Sequence, residues 1–139
     1  MTKRDRNYLL VFLGVTLLFV AYMFTQKTGV KAYQIVANKK LSVDTIPAGT
    51  YSGHFRAYNI TFAEVQFSSD SGRIENFTIR SLLKAPWIDV EQAITDSIEQ
   101  QNKLEFDAIS GATSTSLYVK AAIYNAISDT GKTPTISNK

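Results

Sequence analysis

HFRAYNITFAEVQFSSDSGRIENFTIRSLL, residues His54 to Leu83, is rich in Phe, Ile, Val, Thr and Tyr and is interrupted in its middle by the polar run Ser68-Ser69-Asp70-Ser71-Gly72. β-branched and aromatic residues on either side of a Gly-bearing polar run read as two long strands joined as a hairpin. In the first strand Ile60 and Phe62 keep one phase, whereas Ala63, Val65 and Phe67 keep the other. Side chains in a strand alternate with period two, so the switch implies a β-bulge or burial of both faces. In the second strand Phe77 and Ile79 share a face, and Asn76, Thr78 and Arg80 take the opposite one. Just upstream, PAGTYSG (Pro47 to Gly53) holds one Pro and two Gly and reads as punctuation before the β region.

Beyond Pro86 the apolar period changes from two to about 3.6. Val90, Ala93, Ile94, Ser97 and Ile98 fall on one stripe, and Asp89 and Gln92 have capping-box spacing, which predicts a helix from Val90 to Gln101. Six acids and only Lys103 lie between Asp89 and Asp107, the pattern of a solvated acidic face. A second helix is predicted from Ser114 to Ser128, with Val119, Ala122, Ile123, Ala126 and Ile127 as its buried stripe. The expected fold class is α+β, a small antiparallel sheet with packed helices.

The other end of the chain has a different character. Asn7 to Gln26 contains no charge, and at about 1.5 Å per residue it reaches roughly 30 Å, the thickness of a hydrocarbon core. Lys3, Arg4 and Arg6 precede it and Lys27 and Lys31 follow it, so a transmembrane helix with its N-terminus in the cytoplasm and the body outside is expected. A cleaved signal peptide shares the basic start and apolar run. Its apolar region is shorter and ends at a small-x-small site, whereas this run ends in Tyr22, Met23 and Phe24, which favours a retained anchor. The expected organisation is a cytoplasmic N-terminus over 1–6, the span over 7–26, a spacing stalk over 27–46, a domain over 47–130 and a fraying tail over 131–139. Residues 1–40 carry a net charge of +6 and the remainder −3, so the overall +3 belongs to the membrane flanks. An acidic body repels phosphate backbones and argues against nucleic acid. The chain has no Cys, which excludes a disulfide framework, a thiolate nucleophile and a lipid-modified N-terminal Cys.

DAISGATSTS, Asp107 to Ser116, lies between the two predicted helices. Gly111 permits a tight or left-handed turn, Ala112 leaves the approach unobstructed, and Ser110, Thr113, Ser114, Thr115 and Ser116 crowd a helix start. Free N–H groups and the positive end of the helix dipole make such a start a cradle for phosphate, although an ordinary Ser/Thr cap after a Gly turn has the same composition. No Lys follows the glycine at Walker spacing.

The order Asp, two spacers, Ser-Gly-Ala-Thr and then Thr-Ser opening an amphipathic helix resembles the flavinylation motif of the FMN-binding domain family. That family includes the C subunit of the Na⁺-translocating NADH:quinone reductase and the G subunit of the Rnf complex. GTYSG at Gly49 to Gly53 is similar to the opening of that domain's first strand, and AAIYNAIS at Ala121 to Ser128 to its last helix, so the resemblance covers Ala48 to Ser128. It implies FMN held covalently by a phosphoester to Thr113, with Asp107, Ser110, Gly111 and Ala112 read by a Mg²⁺-dependent flavin transferase that takes FAD as donor. A phosphodiester there is expected beside the N–H groups of Thr115 and Ser116, with Ser114 in the same cradle. The chain is much shorter than the respiratory subunits, which points to a small electron carrier rather than part of a sodium pump.

Trp87 and Tyr118 are candidates to stack on the flavin ring, although a lone Trp is commonly a packing anchor. The ring is expected over a shallow surface between the last helix and the hairpin. His54 reads as a plain strand histidine, and the glycosylation-like triplets at Asn59 and Asn76 as chance matches within strands. The expected function is a membrane-anchored, extracytoplasmic flavoprotein that relays electrons among redox partner proteins or quinone-linked donors. The rival is an unflavinylated accessory module of a membrane redox complex. No second cofactor site or general-acid constellation is visible, so an electron-transfer protein is expected rather than a stand-alone enzyme.

Overall fold

The computed structural model describes residues 3–37 and 46–129. Along the chain these form α1 (Lys3–Val36), β1 (Gly49–Ala57), β2 (Ile60–Asp70), β3 (Arg73–Ser81), α2 (Val90–Gln101) and α3 (Thr113–Asp129). The fold is α+β, an antiparallel sheet in the order β1-β2-β3 with α2 and α3 packed on it. The tail after Asp129 and residues 38–45 of the expected stalk lie outside the described residues.

The β region holds one strand more than the sequence suggested. Gly49 to Gly53 is the first half of β1 rather than punctuation, and β1 turns into β2 through Tyr58 and Asn59. Both turn residues have positive φ, 53° and 62°, as the tight turn of a two-residue hairpin requires. The β2–β3 turn at Ser71 and Gly72 is built the same way, with φ of 49° and 79°. The phase switch in β2 is a bulge. Phe55 pairs with Ala63 and Arg56 with Thr61, so Phe62 is the extra residue and is buried beside Ala63. A second irregularity lies opposite Gln66 and Ser68, where Asn76 at φ 54° lets both Ile74 and Phe77 face inward. Asn59 and Asn76 thus occupy left-handed positions, which Asn tolerates better than most residues, and not regular strand.

One face of the sheet is buried and the other, carrying Ser52, His54, Arg56, Glu64, Gln66, Thr78 and Arg80, is exposed. The core joins Tyr51, Phe55, Val65, Phe67, Ile74 and Phe77 from the sheet to Val90, Ile94 and Ile98 of α2 and to Val119, Ala122, Ile123 and Ala126 of α3. Asp89 caps α2 by accepting from the Gln92 N–H at 3.1 Å. The Gln92 side chain donates to Asp96 instead of reaching back, so only half of a capping box forms.

α1 is one continuous helix that runs past Gln26 to Val36. From Tyr8 to Tyr22 its large apolar residues are more than half exposed, and its length and composition suffice to cross a membrane. Its last turns do not act as a spacer, because Thr28 and Ala32 are fully buried and the helix packs along α3.

Candidate functional site

The chain order of this topology brings its connections to one end. β3 runs back from the 71–72 turn to the end where β1 turns into β2, and α2 then leads away again. Asn102 ends α2 in a left-handed conformation, donates to the Gly72 carbonyl and accepts from the Ile74 N–H, which marks the far end. The segment 103–112 returns, anchored by buried Leu104 and Phe106, and delivers α3 to the near end. The 58–59 turn, the 82–89 connection and the DAISGAT loop are therefore neighbours.

The loop is held from behind. Ala112 N–H donates to the Ile109 carbonyl at 2.9 Å, closing a turn whose third residue is Gly111 at φ 78°. The fully buried Ser116 hydroxyl accepts from the Ile109 N–H at 3.0 Å and donates to the Ala112 carbonyl at 3.0 Å, so it clamps the same turn. Thr115, also buried, donates to the Leu83 carbonyl at 3.4 Å and ties the helix start to the neighbouring connection.

These bonds divide the hydroxyl cluster into two layers. Thr115 and Ser116 face inward and are structural, whereas Asp107, Ser110, Thr113 and Ser114 are exposed. Ala112, in the N-cap position, is buried and brings no side-chain acceptor. Ser116 N–H bonds the Ala112 carbonyl and is the first amide of the helical ladder, so it is not part of an anion cradle. The amides without an intrahelical partner are those of Thr113, Ser114 and Thr115.

Trp87 is not a packing anchor. Ala85-Pro86-Trp87-Ile88 forms a turn with Pro in its second position, and Trp87 is 73% exposed at its tip. Its indole edge lies over Gly111, where a Cβ would come within 3.1 Å of Trp87 Nε1. The connection is fastened by Glu91, whose Oε1 accepts from the Ser81 N–H, the Ser81 hydroxyl and the Lys84 ammonium. Burial alone would raise the Glu91 carboxyl, but the donors of Lys84 and Ser81 outweigh it and hold the group below its ordinary value.

Tyr118, expected as a ring contact, is 1% exposed. It stacks on Phe55 at 5.3 Å between centroids and meets Phe62 at 5.2 Å, inside the core. Its spacing was the missed signal, since a residue four before Ala122 shares the buried stripe. Between α3 and β1 there is no open surface. A Cβ on Gly53 would lie 2.4 Å from Ala122 O and Ala126 N, so helix and strand backbones are in direct contact there. The open grooves border the loop instead. One of about 410 Å³ runs along 81–91 past Trp87, and one of about 640 Å³ lies between Val36, Leu104, Asp107, Ser110 and Lys120.

Compared with curated proteins and with solved structures, the chain finds no match. Its match is to the family model of the FMN-binding domain, over residues 23–128. That span takes in the last turns of α1, the whole sheet and both later helices, and ends one residue short of the end of α3. A family match over that share of the chain settles its membership: the chain belongs to the FMN-binding domain family.

Proposed function

We propose that the protein is a membrane-anchored, extracytoplasmic flavoprotein that carries FMN on the Thr113 hydroxyl through a phosphodiester and relays electrons. The carrying observation is the position of Thr113, exposed on the first turn of α3 beyond a loop rigidified by Ser116. The residues present fit the group. The N–H groups of Thr113, Ser114 and Thr115 suit a phosphodiester, worth about 0.3–1 kcal/mol at a helix start. Trp87 offers an indole beside it, and the groove along 81–91 has the volume of a small-molecule site.

The flavin, when bound, supplies the one- and two-electron chemistry. The chain's own residues bind and orient: Ser116 and Thr115 fix the helix start, Gly111 admits the indole, and the exposed Asp107 and Ser110 remain accessible to a modifying enzyme. A neutral Thr hydroxyl is a poor nucleophile, so attachment falls to a separate Mg²⁺-dependent transferase: the bond from Thr113 Oγ to the FMN phosphorus forms as the FAD pyrophosphate bond breaks, the hydroxyl proton passes to a base of that enzyme and AMP leaves. A covalent bond suits a compartment without free FMN to refill a vacant site. The uncharged span of α1 and the basic residues before it support the anchor and its orientation.

Intact mass and in-gel flavin fluorescence of the full chain, coexpressed with a flavin transferase, test the assignment. The wild type gains the mass of an FMN phosphoester and fluoresces after denaturation, and Thr113→Ala does neither. A fluorescent Thr113→Ala band refutes attachment at this residue.

A further inference from the structure

Phe24 lies in the last turn of the uncharged span, two residues or about 3 Å of helix rise from its outer end. Its ring meets Tyr58, at the tip of the first hairpin, at 4.6 Å between centroids, and Phe62 at 6.5 Å. If α1 spans the bilayer, the hairpin tip stands at the boundary between hydrocarbon and headgroups. The contacts continue sideways from there. Leu82 N–H bonds the Phe62 carbonyl at 3.0 Å, Leu83 O accepts from Thr115, and Trp87 lies over Gly111.

This same end collects the domain's exposed large apolar side chains: Tyr58 (46%), Ile60 (41%), Leu82 (54%), Leu83 (39%), Trp87 (73%) and Ile88 (36%). Outside α1, no other large apolar residue of the described chain is comparably exposed. Aromatic and aliphatic residues at this depth match the interfacial belt of membrane proteins, and a rim this apolar is unusual on a surface bathed in water. The basic residues complete the match. Lys27 and Lys31 follow the span, Lys31 Nζ sits 4.4 Å from the centre of the Tyr58 ring, and Arg56 is exposed one residue from Ala57, where lipid phosphates would lie.

We infer that this end of the domain is a second membrane contact: the rim from Tyr58 to Trp87 inserts into the interfacial layer of the bilayer, and the Thr113 loop faces the lipid surface. The inference rests on the reading of α1 as a membrane span. It deepens the proposed function, because a group on Thr113 is then presented to membrane-embedded redox partners and not to soluble ones.

Trp87 is the only Trp of the chain, which makes it a direct reporter. The full chain, made without flavin, is reconstituted into phosphatidylcholine vesicles, plain or brominated near the glycerol end of the acyl chains. Flotation and resistance to carbonate extraction report insertion of α1. Inserted protein is expected to lose most of its Trp87 emission in the brominated vesicles. Leu82→Trp in a Trp87→Phe background should lose it likewise, whereas Glu99→Trp in that background, near the far end of α2, should keep it. Inserted protein whose Trp87 and Leu82→Trp emission is equal in both vesicles overturns the inference and leaves the anchor standing, with the rim then free for a protein partner. Failure to insert overturns both.

Discussion

Ser116 Oγ holds the Ile109 N–H at 3.0 Å from across the Gly111 turn, so a side chain on the first turns of α3 fixes the loop that precedes it. Ser116→Ala leaves that amide, in a part-buried position, without its partner, at a cost of about 0.5–1.5 kcal/mol. Thermal unfolding of the full chain should fall accordingly, and flavin attachment should slow because the loop is less ordered. Ser114→Ala, on the exposed layer, should leave the unfolding temperature unchanged. Equal effects of the two substitutions would contradict the division into layers.

Gly111→Ala meets two obstacles at once. The residue sits at φ 78°, where a Cβ costs about 1–2 kcal/mol, and the Cβ would press on Trp87 Nε1. Trp87→Phe relieves the second obstacle and not the first. The double variant should therefore recover part of the stability lost by Gly111→Ala. A double-mutant cycle with no coupling would place the indole elsewhere.

Gly53→Ala probes the contact between α3 and β1. The added methyl would be 2.4 Å from Ala122 O and Ala126 N, both backbone atoms, so the helix has to lift. Overpacking of this kind costs about 1–3 kcal/mol. Urea unfolding should show a lower midpoint, with flavin attachment retained at temperatures where the variant stays folded.

Much of this could be read from the residues, for reasons that also explain the misses. The α2 boundaries follow from a clean 3.6 period behind Asp89, and the phase switch at Phe62 points to a bulge or burial of both faces, of which the bulge forms. Composition alone hides the first half of β1, to which only the family resemblance points, because Gly53 and Gly49 resemble loop residues. Gly53 is there to let α3 approach, a tertiary requirement invisible in local composition. The Tyr58-Asn59 turn escaped because it reaches positive φ without glycine. At the site, the run of five hydroxyl residues was legible but its layering was not, since Thr115 and Ser116 belong to the buried face of α3 that continues through Val119 and Ala122.

Acid should loosen the Trp87 connection before the core. The folded state holds the Glu91 carboxyl below its ordinary value, so its stabilisation is fully present above the unfolded pKa of about 4.3 and is lost as pH falls through the lower folded value. The exposure of Lys84 keeps the contribution modest. Trp87 emission should shift over that acidic window in the wild type, and Glu91→Gln should remove the pH dependence of the shift. An identical titration in the variant would assign it to other carboxyls.

The proposed flavin site makes a last prediction about two threonines that are neighbours in sequence and differ in surroundings. Thr113 is exposed, and surface substitutions away from special features change stability by no more than about 0.5 kcal/mol. Thr115 is 6% exposed and donates to the Leu83 carbonyl. The unmodified wild type and Thr113→Ala should therefore unfold at the same temperature, because the core of sheet, α2 and α3 is complete without a cofactor. Thr115→Ala should unfold earlier, by the equivalent of about 1 kcal/mol for a lost hydrogen bond, yet still take up flavin at Thr113. Iodide should quench the attached flavin, since Trp87 and Thr113 both lie on the surface, and lipid vesicles should lower that quenching where the rim meets the bilayer. A flavin wholly shielded from iodide in detergent, or an unfolded apo protein, would overturn the picture of an exposed relay held on a finished scaffold.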